Sequence, residues 1–173
     1  MVSEKETQMA TTMKDKNEIT ISRIFDARRE KVWKAWTDPE EVKKWWGPKG
    51  FTAPEIKIDL KVGGKYIYCM RVAGLDGVVK DFCIVGKFTE IVPMERIYST
   101  LSFADENGNP VPATHYGMPG DWPMEETSTV TFEEVDYGKT KLTVREVGIP
   151  GEMTGPARMG WEQSLDKLAE SLK

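Results

Sequence analysis

Histidine and cysteine are scarce in this chain: of 173 residues, one is histidine and two are cysteine. The lone His115 weakens any histidine-based metal centre. Cys69 and Cys83 alone supply neither a disulfide framework nor zinc-ligand spacing. No metal site and no cofactor is therefore expected. A basic block is also missing. Lys and Arg number 24 against 28 Asp and Glu, for a net charge of −4, without the one-sided positive face of a nucleic-acid binder. No window approaches the ~20 apolar residues that span a bilayer. The polar stretch from Met1 to Asn17 has no apolar run that would serve as a signal-peptide core. These absences argue against nucleic acid and membrane as partners. They lead to the expectation of a cytoplasmic protein whose two thiols stay reduced and act as small hydrophobes, with a redox switch as the alternative.

There is likewise no internal repeat, no low-complexity tract and no linker rich in Pro, Gly or Ser. Residues 1–16 read as a flexible N-terminal segment and 17–173 as one domain. Ile19 to Phe25 alternates apolar and polar residues, the mark of a half-buried strand. Asp26 is placed to cap a helix over Arg28 to Thr37, with Val32, Ala35 and Trp36 on its apolar side. Asp38-Pro39-Glu40-Glu41 then starts a second short helix: a capping Asp, a Pro at the first position, and two carboxylates at the positive end of the dipole. Val42, Trp45 and Trp46 form its buried side, and Gly47-Pro48 stops it.

Six further strands follow, over Thr52–Leu60, Lys65–Val72, Val78–Val92, Arg96–Phe103, Met124–Val135 and Lys139–Val147. A long loop from Ala104 to about Pro123 interrupts them. From Thr154 to Leu172, Ala157, Trp161, Leu165, Leu168 and Leu172 recur at helical spacing as one apolar stripe. Short turns between strands make the sheet antiparallel. One helix cannot cover a flat sheet of seven strands, so the sheet must curl around it. The fold class is α+β: a helix-grip architecture, with about seven curved strands around a long C-terminal helix and two short helices after the first strand.

Centring the hairpin of Lys65–Val72 and Val78–Val92 on Asp76 sets Arg71 opposite Asp81, an attractive cross-strand pair. Tyr66, Tyr68, Met70, Phe82, Ile84 and Gly86 then share one face, while Ile67, Cys69, Cys83 and Val85 share the other. The first face carries aromatics and a glycine and is assigned to the concave side. It reads either as plain core or as a cavity wall, with Gly86, Gly160 and Ser164 leaving room. Buried tyrosine hydroxyls need partners, which a wet or ligand-filled pocket supplies. Glu55, Asp59, Arg71 and Glu146 are further polar residues placed to approach such a cavity, Asp59 alternatively bracing the Gly63-Gly64 turn. In the long loop, His115, Tyr116 and Trp122 serve either as a lid or as a plug at one end of the barrel.

The segment VWKAWTDPEEVKKWWGPKGF (32–51), followed by Asp59 and Gly63-Gly64, resembles proteins homologous to the C-terminal domain of the activator of the heat-shock-protein-90 ATPase. These belong to the START-like, Bet-v-like superfamily also called SRPBCC. VTFEEVDYGKTKLTVREVGIP (130–150) and GWEQSLDKLAESL (160–172) are similar to the family's last hairpin and long helix, and HYGMPGDWPMEETSTVTF (115–132) to a prokaryotic subgroup. The resemblance covers nearly the whole chain and implies a helix-grip fold with a cavity between sheet and helix.

The expected function is binding of a small hydrophobic or amphipathic molecule by Trp46, Tyr66, Tyr68, Met70, Phe82, Ile84, His115, Trp122 and Trp161. The alternative is a co-chaperone-like interaction module with a chaperone as partner. This chain, however, leaves no room for the separate domain with which the eukaryotic co-chaperone engages its chaperone. A third reading is a hydrolase- or cyclase-type enzyme using the 104–123 loop, with His115 as base; no catalytic residue is assigned. A cavity of several hundred cubic ångströms favours binding, and a fully packed core favours the interaction module. A His115 in open solvent removes the ground for the enzyme. An apolar outer face around Ile67 and Val85 leaves both monomer and homodimer open.

Overall fold

A computed structural model describes residues 17–173, so the flexible segment expected over 1–16 lies outside the described residues. The strands are β1 (Glu18–Phe25), β2 (Thr52–Ile58), β3 (Lys65–Ala73), β4 (Val79–Val92), β5 (Arg96–Ala104), β6 (Glu126–Val135) and β7 (Lys139–Val147). They form one sheet in the order β1-β7-β6-β5-β4-β3-β2, antiparallel throughout. Helices α1 (Arg29–Thr37) and α2 (Pro39–Val42) separate β1 from β2, and α3 (Thr154–Ser171) closes the chain. This is the α+β helix-grip architecture that the alternation patterns indicate. Among the described residues no helix is long and apolar enough to cross a membrane.

The inserted helices explain the strand order. They carry the chain from β1 to the far edge, and β2 to β7 then return as a meander of hairpins until β7 meets β1. The stripe on α3 faces the concave side, but unevenly. Leu165 and Leu168 are fully buried, whereas Ala157 and Trp161 are only partly so. The C-terminal half of α3 thus seals the core, and its N-terminal half covers a looser region. Arg23 on β1 ties this helix down through Asp166 at 2.6 Å. The Lys167 ammonium donates to the Gly47 and Phe51 carbonyls at 2.9 and 3.0 Å, and burial lowers its pKa.

Asp38 caps α2 as expected, its carboxylate accepting from the Glu40 N–H at 3.0 Å. Asp26 does not cap α1. That helix begins after Arg28 and has no side-chain cap.

The β3–β4 register sets Arg71 against Asp81 and Cys69 against Cys83, as the turn at Asp76 requires. The expectation of free thiols is overturned: Cys69 and Cys83 form a disulfide. Directly opposed on neighbouring strands, their Cα atoms are only 4.1 Å apart, and both side chains are buried with Ala104, Ile67 and Val85 packed around them. Tyr116 closes over this patch. Its hydroxyl donates to the Ala104 carbonyl and accepts from the Cys83 N–H at 3.2 Å. The face that would permit a dimer is therefore partly covered by the chain's own loop.

The bridge spans 14 residues, a loop whose closure in the unfolded chain stabilises the fold by about 3 kcal/mol. Reduction is expected to lower the unfolding midpoint by roughly 6–12 °C, measured by calorimetry with and without a phosphine reductant. An unchanged midpoint would show that the bridge contributes nothing.

Candidate functional site

A cavity lies under the N-terminal half of α3, between that helix and the concave face of the sheet. Its aromatic walls are Trp36, Trp46, Tyr66, Tyr68, Phe88 and Trp161, and its polar groups include Ser99, Ser128 and Glu146. Leu60, which also lines it and is 38% exposed, marks the end nearest solvent.

The cavity is small. The centre of a water molecule has about 40 Å³ in which to move, room for roughly three waters. This is neither the several hundred cubic ångströms expected of a ligand pocket nor a fully packed core. Indoles account for the difference. Trp36 stacks on Trp161 with centroids 5.9 Å apart. Trp46 stands edge-on to Trp161 at 5.5 Å and to Tyr68 at 4.6 Å. Trp45 is wholly buried, its indole N–H donating to the Ala35 carbonyl at 2.9 Å. Of the two neighbouring tryptophans just after α2, one therefore serves the core and the other the cavity wall.

Gly86 does not leave space, contrary to expectation. Tyr66, its cross-strand partner, lies over it and fills the position of the missing side chain. A Cβ on Gly86 would come within 2.2 Å of the Tyr66 ring and of the Thr100 carbonyl. The Tyr66 hydroxyl donates to that carbonyl at 2.9 Å and shares a 3.2 Å hydrogen bond with Ser99. Burial raises the pKa of both the Tyr66 and Tyr68 phenols. Gly160 and Ser164 do not open the cavity either. Gly160 faces Pro48, and the Ser164 hydroxyl bonds the Gly160 carbonyl at 3.0 Å.

Five of the nine expected site residues meet at the cavity: Trp46, Tyr66, Tyr68, Ile84 and Trp161. The other four lie elsewhere. Met70 packs against the turn around Gly47. Phe82 sits between Phe51 and Tyr116 at 6.4 and 5.2 Å. Both alternate correctly with the cavity residues, but they lie further along the same strands. Trp122 stands edge-on to Phe103 at 5.2 Å, its indole N–H donating to the Pro119 carbonyl at 2.8 Å. Trp122 thus packs on the sheet and does not line the cavity. His115 is exposed, edge-on to Tyr116, in a surface hollow shared with Arg71, Asp81 and Asp105. It does not reach the cavity, so the ground for using it as a base there is gone. Glu55, Asp59 and Arg71 do not line the cavity.

Glu146 does line it, and beyond the cavity lining its charge acts on Glu126, a second carboxyl that the strand-face reading did not single out. Glu146 on β7 pairs across with Ser128 on β6 and Ile19 on β1. Glu126 lies two residues before Ser128, on the same face of β6, and is 5% exposed. Counting back from the Asp136-Tyr137-Gly138 turn would have placed it inward. Burial pushes the Glu146 carboxyl up to about 7, against the Trp161 indole N–H, which favours the charged form. Burial, and then the neighbouring Glu146 charge, push Glu126 up to about 8. Neither carboxyl has an ion-pair partner among the described residues. An acid at an aromatic wall with its charge beside a second, buried acid can hold a proton near neutral pH, accept a hydrogen bond, or neutralise a cation.

Comparison with known proteins agrees with the architecture. Residues 26–173 match the family described as Activator of Hsp90 ATPase homolog 1-like protein. A crystal structure of a protein from Chromobacterium violaceum is similar at 28% identity and a TM-score of 0.71, covering 90% of this chain and 97% of that one. A solution structure from Arthrobacter aurescens has 26% identity and a TM-score of 0.71, with 91% and 87% covered. A crystal structure from Mycobacterium smegmatis has 26% identity and a TM-score of 0.69, with 92% and 90% covered. No protein of curated function matches. With the helix-grip sheet, the gripped C-terminal helix and the match over 26–173, the chain belongs to the family of Activator of Hsp90 ATPase homolog 1-like proteins, within the START-like SRPBCC superfamily.

Proposed function

We propose that this protein binds a small amphipathic molecule, with one end in the cavity and the other towards Leu60. The observation that carries the reading is an aromatic-lined void beneath the helix into which polar groups face. Protein interiors are normally packed without such voids. Binding pockets, by contrast, combine apolar walls with a few placed polar groups. The proposed contacts are Trp46, Tyr66, Tyr68, Ile84 and Trp161 from the expected set, together with Trp36, Ser99 and Glu146. The volume sets a limit: a small headgroup fits as the side chains stand, and a longer ligand must extend past Leu60.

The test is native mass spectrometry of protein purified from its source, followed by a thermal-shift screen of lipids and aromatic compounds. A true ligand at about a hundred times its Kd stabilises by about 2.7 kcal/mol, a rise of roughly 5–10 °C for a domain of this size. No co-purifying molecule and no change in midpoint across the screen would sink the reading.

A second reading, a protein-interaction module, rests on a different place. At the β3–β4 hairpin tip, Leu75, Val78 and Val79 are all exposed. Under that reading Leu75→Ser abolishes partner binding without changing any ligand-induced stabilisation.

A further inference from the structure

We infer that the molecule bound in this cavity carries a basic nitrogen, and that its ammonium group is seated against the Glu146 carboxylate within the ring of Trp36, Trp46 and Trp161. This rests on the cavity being a binding site, as proposed above, and names the chemistry of its ligand.

Charge comes first. Glu146 and Glu126 place two acids at the concave face, and neither forms an ion pair among the described residues; the cations of β1 and α3 and the arginine beside Glu146 have other partners. Arg23 on β1 bonds Asp166 on α3. Arg145, next to Glu146 in the chain, points to the opposite face and pairs with Glu18 at 2.7 Å. On α3, Arg158 donates to the Thr20 carbonyl at 3.0 Å, and Lys167 is held by the Gly47 and Phe51 carbonyls. The Tyr66 phenol, which feels both acids, and the Tyr68 phenol beside it add no positive charge. Burying a charge is costly unless it is paired. A ligand that brings the missing cation would be held by a charge-assisted hydrogen bond in a site of low dielectric.

The walls point the same way. Indole faces attract cations through their quadrupole, tryptophan more strongly than the other aromatics. Three indoles surround this cavity, two of them stacked. An anionic ligand would meet like charge.

Size agrees as well. Room for roughly three waters corresponds to a headgroup of about three or four non-hydrogen atoms, the dimensions of a small ammonium with its nearest carbons. The rest of the molecule would leave towards Leu60.

Binding of an ammonium requires the carboxylate form of Glu146. Where that acid is still protonated, binding must release its proton to solvent: the carboxyl loses H⁺, the amine keeps its own, and no other bond changes.

Three probes of equal chain length separate the alternatives: hexylamine, hexanol and hexanoate, titrated into the full chain at pH 7 and followed by calorimetry and indole fluorescence. Hexylamine is expected to bind about tenfold more tightly than hexanol, and hexanoate more weakly than either. Glu146→Gln should bring hexylamine to within about twofold of hexanol, both measured on the same variant. A second readout needs no variant and so survives any folding defect in Glu146→Gln. Calorimetry in buffers of different ionisation heat should show about half a proton released per hexylamine at pH 7 and none with hexanol. Equal binding of hexylamine and hexanol, or tighter binding of hexanoate, would overturn the amine while leaving the cavity reading intact. If none of the three binds, both fall.

Discussion

Gly86→Ala is expected to cost about 3–5 kcal/mol of stability and to remove ligand-induced stabilisation with it. The added methyl would lie 2.2 Å from the Thr100 carbonyl oxygen and 2.2 Å from the Tyr66 ring. The carbonyl belongs to the neighbouring strand and cannot move without disturbing β5. Tyr66 must therefore swing away, giving up its hydrogen bonds to Thr100 and Ser99. Overpacking of this kind commonly costs about 1–3 kcal/mol, and lost buried hydrogen bonds add to it. The displaced ring has only the cavity to enter, so the void should close. Urea unfolding measures the first effect and the thermal-shift screen the second. A variant within about 1 kcal/mol of wild type would mean that Tyr66 is not locked over the glycine. The double variant Gly86→Ala with Tyr66→Leu should recover part of the stability, because the flexible leucine can yield where the ring cannot.

The second large effect is one of pH. The Glu146 and Glu126 carboxyls are pushed up to about 7 and about 8 in the folded protein, while in the unfolded chain they titrate near 4.5. Because the folded pKa values are raised, their contribution is fully present below about pH 4.5 and is lost as pH rises through about 7 to 8. A tenfold difference in proton affinity between the folded and unfolded chain corresponds to about 1.4 kcal/mol. Sharing between the two acids brings the expected loss to about 3–5 kcal/mol between about pH 5 and pH 9. Asp81 and Asp105, whose pKa values are lowered by Arg71 and by the Asn109 N–H respectively, act in the opposite sense and only at lower pH. The unfolding midpoint should therefore fall on going from about pH 5 to pH 9, and Glu146→Gln should flatten the decline. A midpoint independent of pH over that range would contradict the burial of the pair. The same titration governs the proposed amine site, which strengthens as the carboxylate forms and so gains most where the empty protein is weakest.

The two effects share one origin. The concave face near α3 is where the core is least complete. Leu165 and Leu168 fill the space under the C-terminal half of the helix. Under its N-terminal half, the stripe offers only Ala157 and Trp161, and the acids opposite remain short of partners. The same deficit that makes a cavity leaves the two carboxyls buried without a cation.

Much of this was legible in the sequence because it is local or periodic. Two-residue alternation marked the strands. The Asp38-Pro39 start and the Gly47-Pro48 stop bracketed the turn that carries the paired tryptophans. The turn centred on Asp76, supported by the charge pair Arg71–Asp81, set the register that placed Tyr66 and Tyr68 on one face and Cys69 opposite Cys83. Periodicity tells which face a side chain occupies but not how far along the strand the space beside it is filled. That is why Tyr68 and Ile84 reach the cavity whereas Met70 and Phe82, on the same face, lie beyond it, Met70 against the Gly47 turn and Phe82 between Phe51 and Tyr116. Loops carry no period at all, so the outward position of His115 and the packing of Trp122 on Phe103 had to come from the folded chain.

By itself, then, the sequence determined the order of the elements, the division of residues between the two faces of the sheet, and the family. The first two follow from the near-neighbour geometry of helix and strand, and the family from the resemblance of the segments 32–51, 130–150 and 160–172. The tertiary structure alone decided the volume of the cavity, the seating of Tyr66 over Gly86, the closing of Cys69 onto Cys83, and the meeting of Glu126 with Glu146. Each of these depends on how closely distant segments approach once the sheet has curled. A free volume is what remains after every side chain has taken its place, and no local pattern encodes it.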